Sequence, residues 1–238
     1  MYGLPARHWK AIYRILYAQK EKLRWVKLFG SRARGEARPR SDVDLAFVGA
    51  AEVRGILQEA FERSDLPYTF DLVDYERQTN ERLRQAIDDE GRLLLKIGEK
   101  GGVCMTDSQI RLKWEDYHRA LQRLQAALQK EPDEDELYLD ATIQRFEFSF
   151  ELAWKLMKAV LAHEGIEVSS PRGSIREGWK QGLIQEAEGW LDMLEKRNLS
   201  AHTTYNEQTA RAIYAAVKGR YRAMLLALDE MVAARLGE

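Results

Sequence analysis

The chain has 238 residues, 45% of them hydrophobic and 32% charged, with a net charge of −1. That length suffices for two domains that each bury a core, and the near-neutral balance excludes a global basic footprint for nucleic acid, DNA above all. The single cysteine, Cys104, rules out an intramolecular disulfide framework and a cysteine zinc cluster; with no long apolar run and no leader pattern, a cytoplasmic protein without a membrane partner is expected.

Pro5 suits the first position of a helix, and Ile12, Ile15, Leu16 and Leu23 follow at helical spacing. Trp25 to Phe29 reads as a strand. A glycine-serine turn at Gly30-Ser31 leads into a short basic segment with Arg32, Arg34, Arg38 and Arg40. Val43 to Val48 reads as the second strand, in which Val43, Leu45 and Phe47 alternate with Asp42 and Asp44. Period-2 alternation puts both carboxylates on one face, and the apolar face fixes their register. Like charges this close repel unless a cation lies between them, and hard oxygen ligands with open positions suit Mg²⁺. Gly30 and Ser31 offer backbone N–H groups, one hydroxyl and no bulk where a polyphosphate would approach. The four arginines beside them are expected to clamp a triphosphate.

Residues 51–63 read as a helix. Pro67 opens a third strand, Tyr68 to Asp74, with Phe70, Leu72 and Asp74 on one face and Asp71 and Val73 on the other. Helix resumes from Asn80 through Ala86 and Ile87, and Leu93 to Ile97 closes the first domain, residues 1–98. The glycine-rich stretch Gly98-Glu99-Lys100-Gly101-Gly102 opens a linker over 99–106. Residues 107–238 read as helical throughout, starting from a cap at Asp107 or Ser108. Ile143, Phe146, Phe150, Trp154, Met157 and Leu161 form an apolar stripe on a long helix that ends by Gly165 and Pro171. A helix around Trp179, one over Glu186 to Glu195, and a last one carrying Ala210, Ile213, Tyr214, Val217, Tyr221, Met224, Leu225 and Leu228 complete a bundle. Between helices, Arg197-Asn198-Leu199-Ser200-Ala201-His202-Thr203-Thr204-Tyr205 gathers a cation, an amide, an imidazole and a phenol. From the residues alone, Arg197 and His202 suit either phosphate stabilisation with proton transfer or plain helix capping.

Gly30-Ser31, Arg34-Gly35 and Ser41-Asp42-Val43-Asp44-Leu45, in this order and spacing, resemble the signature of the polymerase-β-type nucleotidyltransferases, in their minimal (MNT) branch. Ile143 to Lys155 (IQRFEFSFELAWK), together with Arg197-Asn198 through His202, resemble the HEPN-fold nucleotidyltransferase substrate-binding subunits, and this similarity spans nearly all of residues 107–235. The resemblance implies an α+β two-domain chain. Its first domain would be an α/β nucleotidyltransferase domain with a small mixed sheet, and its second an all-α HEPN-like bundle. It implies an Mg²⁺-dependent transfer of a nucleotide, AMP from ATP, to a hydroxyl. Asp42, Asp44 and Asp71 would hold two metal ions, and Gly30, Ser31 and Arg34 would bind the nucleotide. For the bundle it implies an Arg-x4-His ribonuclease motif, Arg197 and His202, acting across a homodimer interface. Related separate-chain pairs behave as toxin and antitoxin, the MNT protein transferring AMP to a tyrosine just after the His. Tyr205 is the matching acceptor, but it stands three residues after His202 rather than two. The alternatives are an RNA-cleaving bundle held in check by the fused domain, and transfer to a small molecule such as an aminoglycoside.

Overall fold

The computed structural model describes residues 2–98, 101–129, 136–200 and 207–237. The chain divides into two compact units, Met1–Leu112 and Lys113–Glu238.

The first unit opens with α1 (Ala6–Ala18), held at its start by the Pro5 carbonyl, which accepts from the His8 and Trp9 amides. Trp9, Ile12 and Leu16 recur every three to four residues and are fully buried on the sheet side. The chain continues through β1 (Leu23–Leu28), α2 (Gly30–Arg34), β2 (Val43–Gly49), α3 (Val53–Glu62), β3 (Phe70–Asp74), α4 (Glu81–Glu90), β4 (Arg92–Ile97) and β5 (Val103–Cys104). These strands make one mixed sheet in the order β3-β2-β1-β4-β5. β1 runs antiparallel to β2, with Val26 opposite Phe47 and Leu28 opposite Leu45, whereas β2 and β3 are parallel, with Asp44 opposite Asp71.

Two packed faces follow from the alternation. Val43, Leu45 and Phe47 join α1 and α3 in the larger core, where Phe61 stacks on Phe70 at 3.9 Å. Ala46 packs on the opposite side with Phe29 and Ile87 of α4, alongside Val73, Tyr75 and Leu83. Asp44 and Asp71 share that second face with Ala46 and Val73, nearer the start of their strands. Both cores therefore fix the register that aims the two carboxylates together.

Several local expectations are corrected here. Gly30-Ser31 begins a one-turn helix rather than a simple turn, closed by Gly35 in the left-handed conformation at φ 80. The third strand starts at Phe70, two residues after Tyr68, and Asp42 stands just ahead of its strand. The glycine-rich stretch makes hairpin bonds, from the Gly98 amide to the Gly102 carbonyl (2.8 Å) and from the Gly101 amide to the Gly98 carbonyl (2.9 Å). β5 then pairs antiparallel with β4, and Thr106 and Ser108 donate their hydroxyls to the Leu94 and Leu93 carbonyls.

The second unit takes in most of α5 (Asp107–Ala127), the division between units falling inside this helix, with α6 (Glu136–His163), α7 (Pro171–Lys180), α8 (Ala187–Ser200), α9 (Glu207–Ala216) and α10 (Arg222–Leu236). Among the described residues no strand follows Cys104. Ile143, Phe146, Phe150, Met157 and Leu161 of α6 are buried, as their spacing predicts. Trp154 is only half-buried and donates its indole N–H to Glu151. α8 runs past Glu195, so Arg197 to Ser200 are helical rather than interhelical. The expected single last helix is interrupted by a π turn at Val217–Tyr221. Tyr221 within that turn stacks on Phe146 at 5.7 Å and donates its hydroxyl to Asp192. No helix among the described residues is long and apolar enough to cross a membrane.

Candidate active site

The site grows from the joint between β1 and α2. Phe29 is extended, and its amide donates to the Asp44 carbonyl at 3.0 Å, which brings the end of β1 beside the start of β2. Gly30 then turns at φ 69, and a Cβ there would lie 2.4 Å from Asp44 Oδ2. Only glycine lets this backbone take a left-handed conformation while a carboxylate rests against it. The first N–H groups of a helix have no intrahelical partner, and here they belong to Gly30 and Ser31, next to Asp44.

Across the parallel ladder Asp44 is paired with Asp71, and the Val43 amide donates to the Thr69 carbonyl at 2.9 Å to start that pairing. Asp42 and Asp71 are exposed and Asp44 is half-buried. Burial, then the charges of Asp71 and Asp42, push the Asp44 carboxyl above its ordinary range, while Arg32 and Arg34 pull the other way. Asp44 thus feels both of the other carboxylates. Asp74, on the opposite face, is used locally: Oδ1 accepts from the Glu76 and Arg77 amides, and Oδ2 lies 3.5 Å from Arg77 Nε. An open groove of about 380 Å³ runs past Asp71 and Asp74, lined in part by Ala51, Arg54, Val73, Arg77 and Gln78.

These donors fit a divalent ion in a particular way. They are hard oxygens carrying surplus negative charge, with a glycine backbone against one of them. Among the described residues no three acidic, His or Cys side chains close into a ready-made cage. Hard oxygens of this kind are the ligand type of Mg²⁺, which takes one or two carboxylates and keeps water and substrate oxygens.

The basic segment divides. Arg32, expected at a triphosphate, is 0% exposed and donates Nε to the Asp42 carbonyl at 2.9 Å and Nη2 to the Ser41 carbonyl. Arg34 is exposed and holds Glu90 Oε2 at 2.8 Å and Glu36 Oε2 at 2.9 Å. Arg38 and Arg40 are exposed. No composition signal separates Arg32 from its three neighbours.

In the helical unit, Arg197 Nη2 lies 3.5 Å from Glu151 Oε2, and Nη1 donates to Asn198 Oδ1 at 3.3 Å. Glu151 was not anticipated from sequence, although its spacing to Trp154 and Lys155 marks one helix face. Burial alone would raise its carboxyl, but bonds from Lys155 (2.8 Å) and Trp154 (2.9 Å), with the charges of Lys155 and Arg197, hold it below the ordinary range. His202, Thr203, Thr204 and Tyr205 lie outside the described residues.

Residues 112–233 match the family described as nucleotidyltransferase substrate binding protein like, and residues 10–100 match the polymerase beta nucleotidyltransferase domain. The chain is 34% identical over 80 residues to the probable ribonuclease HepT of Haemophilus influenzae, covering 32% of this chain and 54% of the relative. It is 43% identical over 66 residues to the probable protein adenylyltransferase MntA of the same organism, covering 26% of this chain and 57% of the relative. It thus spans little more than half the length of each. The crystal structure of ttk003001694 from Thermus thermophilus is 39% identical, covering 51% of this chain and 99% of that one, with a TM-score of 0.43.

Proposed function

Because this chain belongs to the nucleotidyltransferase substrate-binding-protein-like family and carries a polymerase-β nucleotidyltransferase domain ahead of that region, we propose that it transfers AMP from ATP to a hydroxyl acceptor, in a fused module of toxin-antitoxin type. The observation that carries this reading is Asp44: its carboxylate rests against the left-handed Gly30 backbone and faces Asp71 across the ladder. Asp42, Asp44 and Asp71 would hold Mg²⁺, two ions in the full site, which when bound neutralises phosphate charge and makes the acceptor oxygen a better nucleophile. The amides of Gly30 and Ser31 orient the phosphates. Asp71, exposed beside the groove, would help the acceptor hydroxyl lose its proton as it attacks. The new bond forms between the acceptor oxygen and the α-phosphorus, and pyrophosphate leaves. Arg34 serves the nucleotide only by exchanging Glu36 and Glu90 for phosphate oxygens.

Tyr205 of the same chain or of a second copy in a homodimer is the acceptor in this reading. The relative MntA carries the name of a protein adenylyltransferase, which favours protein over an aminoglycoside as acceptor. The test is pyrophosphate release with ATP and Mg²⁺ by the full chain. Release that Asp44→Ala abolishes supports transfer, and release that survives in Asp44→Ala contradicts it.

One observation favours a second activity. Arg197 is partly exposed on α8 and is oriented by Glu151, a cation held at the surface as RNA cleavage by Arg197 and His202 would need. Cleavage of single-stranded RNA by the Asp44→Ala chain, lost in His202→Ala, supports a ribonuclease that nucleotide transfer silences. Cleavage unaffected by His202→Ala removes this reading.

A further inference from the structure

We propose that Arg32 is a positioning residue: it holds the Ser41–Asp42 backbone that leads into Asp44 and does not touch the nucleotide. This rests on the reading above for the metal that those carboxylates serve, and it replaces the expectation that Arg32 clamps a triphosphate.

Arg32 is the third residue of α2, and its side chain is wholly withdrawn from solvent. Its guanidinium binds two successive carbonyls, of Ser41 and Asp42, through Nη2 and Nε. Two parallel N–H bonds to neighbouring oxygens need a planar fork, which an ammonium does not offer. Ser41 and Asp42 precede β2 and lie outside the sheet ladder. Arg32 thus supplies fixation that strand pairing does not give them.

The guanidinium is itself held. It lies 5.0 Å from the centre of the Tyr68 ring, and the Tyr68 hydroxyl is 2.7 Å from His8 Nδ1. His8 belongs to α1 and Tyr68 leads into β3, so Tyr68 links the guanidinium to two further parts of the first unit. Nη1 is buried and has no hydrogen-bond partner among the described residues. A buried cation bonded only to neutral carbonyls is a poor device for stability, because apolar side chains of similar volume do as well or better. It is a good device for fixing a loop; burial lowers the guanidinium from its ordinary range, and Tyr68, Asp44 and Asp42 offset that only in part.

The experiment measures Mn²⁺ affinity by electron paramagnetic resonance on the full chain without nucleotide, together with kcat and KM for ATP at saturating Mg²⁺. Arg32→Met is expected to weaken Mn²⁺ binding about 10- to 100-fold, the range for residues that orient metal ligands. Arg32→Lys is expected to restore little of it, since charge returns without the fork, and Arg63→Ala, at the exposed end of α3, to change nothing. kcat should fall with KM for ATP nearly unchanged. Wild-type Mn²⁺ affinity in a folded Arg32 variant overturns the proposal, as does a rise in KM at constant kcat, which would put Arg32 on the nucleotide. If neither Arg32 variant folds, Tyr68→Leu decides: weaker Mn²⁺ binding supports the proposal and unchanged binding overturns it. A wild-type chain that binds Mn²⁺ in an Arg32-dependent manner yet transfers no nucleotide contradicts the transferase reading and leaves Arg32 in its place.

Discussion

Two carboxylates, one in each unit, have opposite electrostatic surroundings. Asp44 is raised by burial and by Asp71 and Asp42, and the arginines nearby do not cancel that. Glu151 is lowered because Lys155, Trp154 and Arg197 more than offset its burial. The first arrangement carries surplus negative charge held by sheet register, and a bound cation would relieve it. The second is a closed balance of charges that orients Arg197. A raised carboxylate beside other acids marks where a ligand is needed; a lowered one beside cations marks where a partner is already supplied.

Removing the surplus charge should have the largest effect. Asp44→Asn is expected to abolish nucleotide transfer and yet to raise the melting temperature near pH 7. Since the Asp44 carboxyl is raised, the folded chain binds more protons than the unfolded chain above the ordinary aspartate pKa. Stability therefore falls as pH rises through that window. The gain in Asp44→Asn should vanish once pH drops below the ordinary aspartate range. Mg²⁺ should raise the melting temperature of the wild type and leave that of Asp44→Asn unmoved.

Gly30→Ala keeps every charge and disturbs only the cradle, where the new Cβ would meet Asp44 Oδ2. Displacing the carboxylate is expected to cost on the order of 100-fold in transfer rate. The left-handed backbone adds a loss on the order of 1 kcal/mol in stability, read by denaturant titration. A near-wild-type rate would separate Asp44 from the phosphate site.

Glu151→Gln should have the smallest effect. Its side chain is 30% exposed and that of Arg197 37%, so solvent screening limits the pair to roughly 0.2–1 kcal/mol of stability. Because the Glu151 carboxyl is lowered, its contribution is present above the ordinary glutamate range and is lost as pH falls through the lowered value. The melting difference between Glu151→Gln and wild type should shrink in acid. Its effect on RNA cleavage would be larger than its effect on stability if Glu151 orients Arg197 for chemistry.

What could be read from sequence was whatever a period announces. The alternation of Val43, Leu45 and Phe47 fixed the face of Asp44, and the same rule separated Asp71 from Asp74. The stripe from Ile143 to Leu161 marked the long helix with only Trp154 misplaced. Features that barely complete one period were not legible: α2 has five residues and β5 two, so the glycines at or before their starts looked like a turn and a linker. Long-range partners were also hidden. The fate of Arg32 depends on two carbonyls about ten residues away and on an aromatic ring 36 positions along the chain. Arg197 finds Glu151 46 residues upstream. A flexible charged side chain has many solvated alternatives, and only the assembled core selects among them.

Transfer of AMP by the proposed Gly30–Asp44–Asp71 site to a tyrosine of this chain would show in the intact mass of the protein. The purified full chain is incubated with ATP and Mg²⁺ beside Asp42→Ala/Asp44→Ala and Tyr205→Phe. An adenylyl adduct that maps to Tyr205 and is missing from both variants is the predicted result. A chain that starts unmodified, binds ATP and gains no mass contradicts self-modification and moves the acceptor to another molecule.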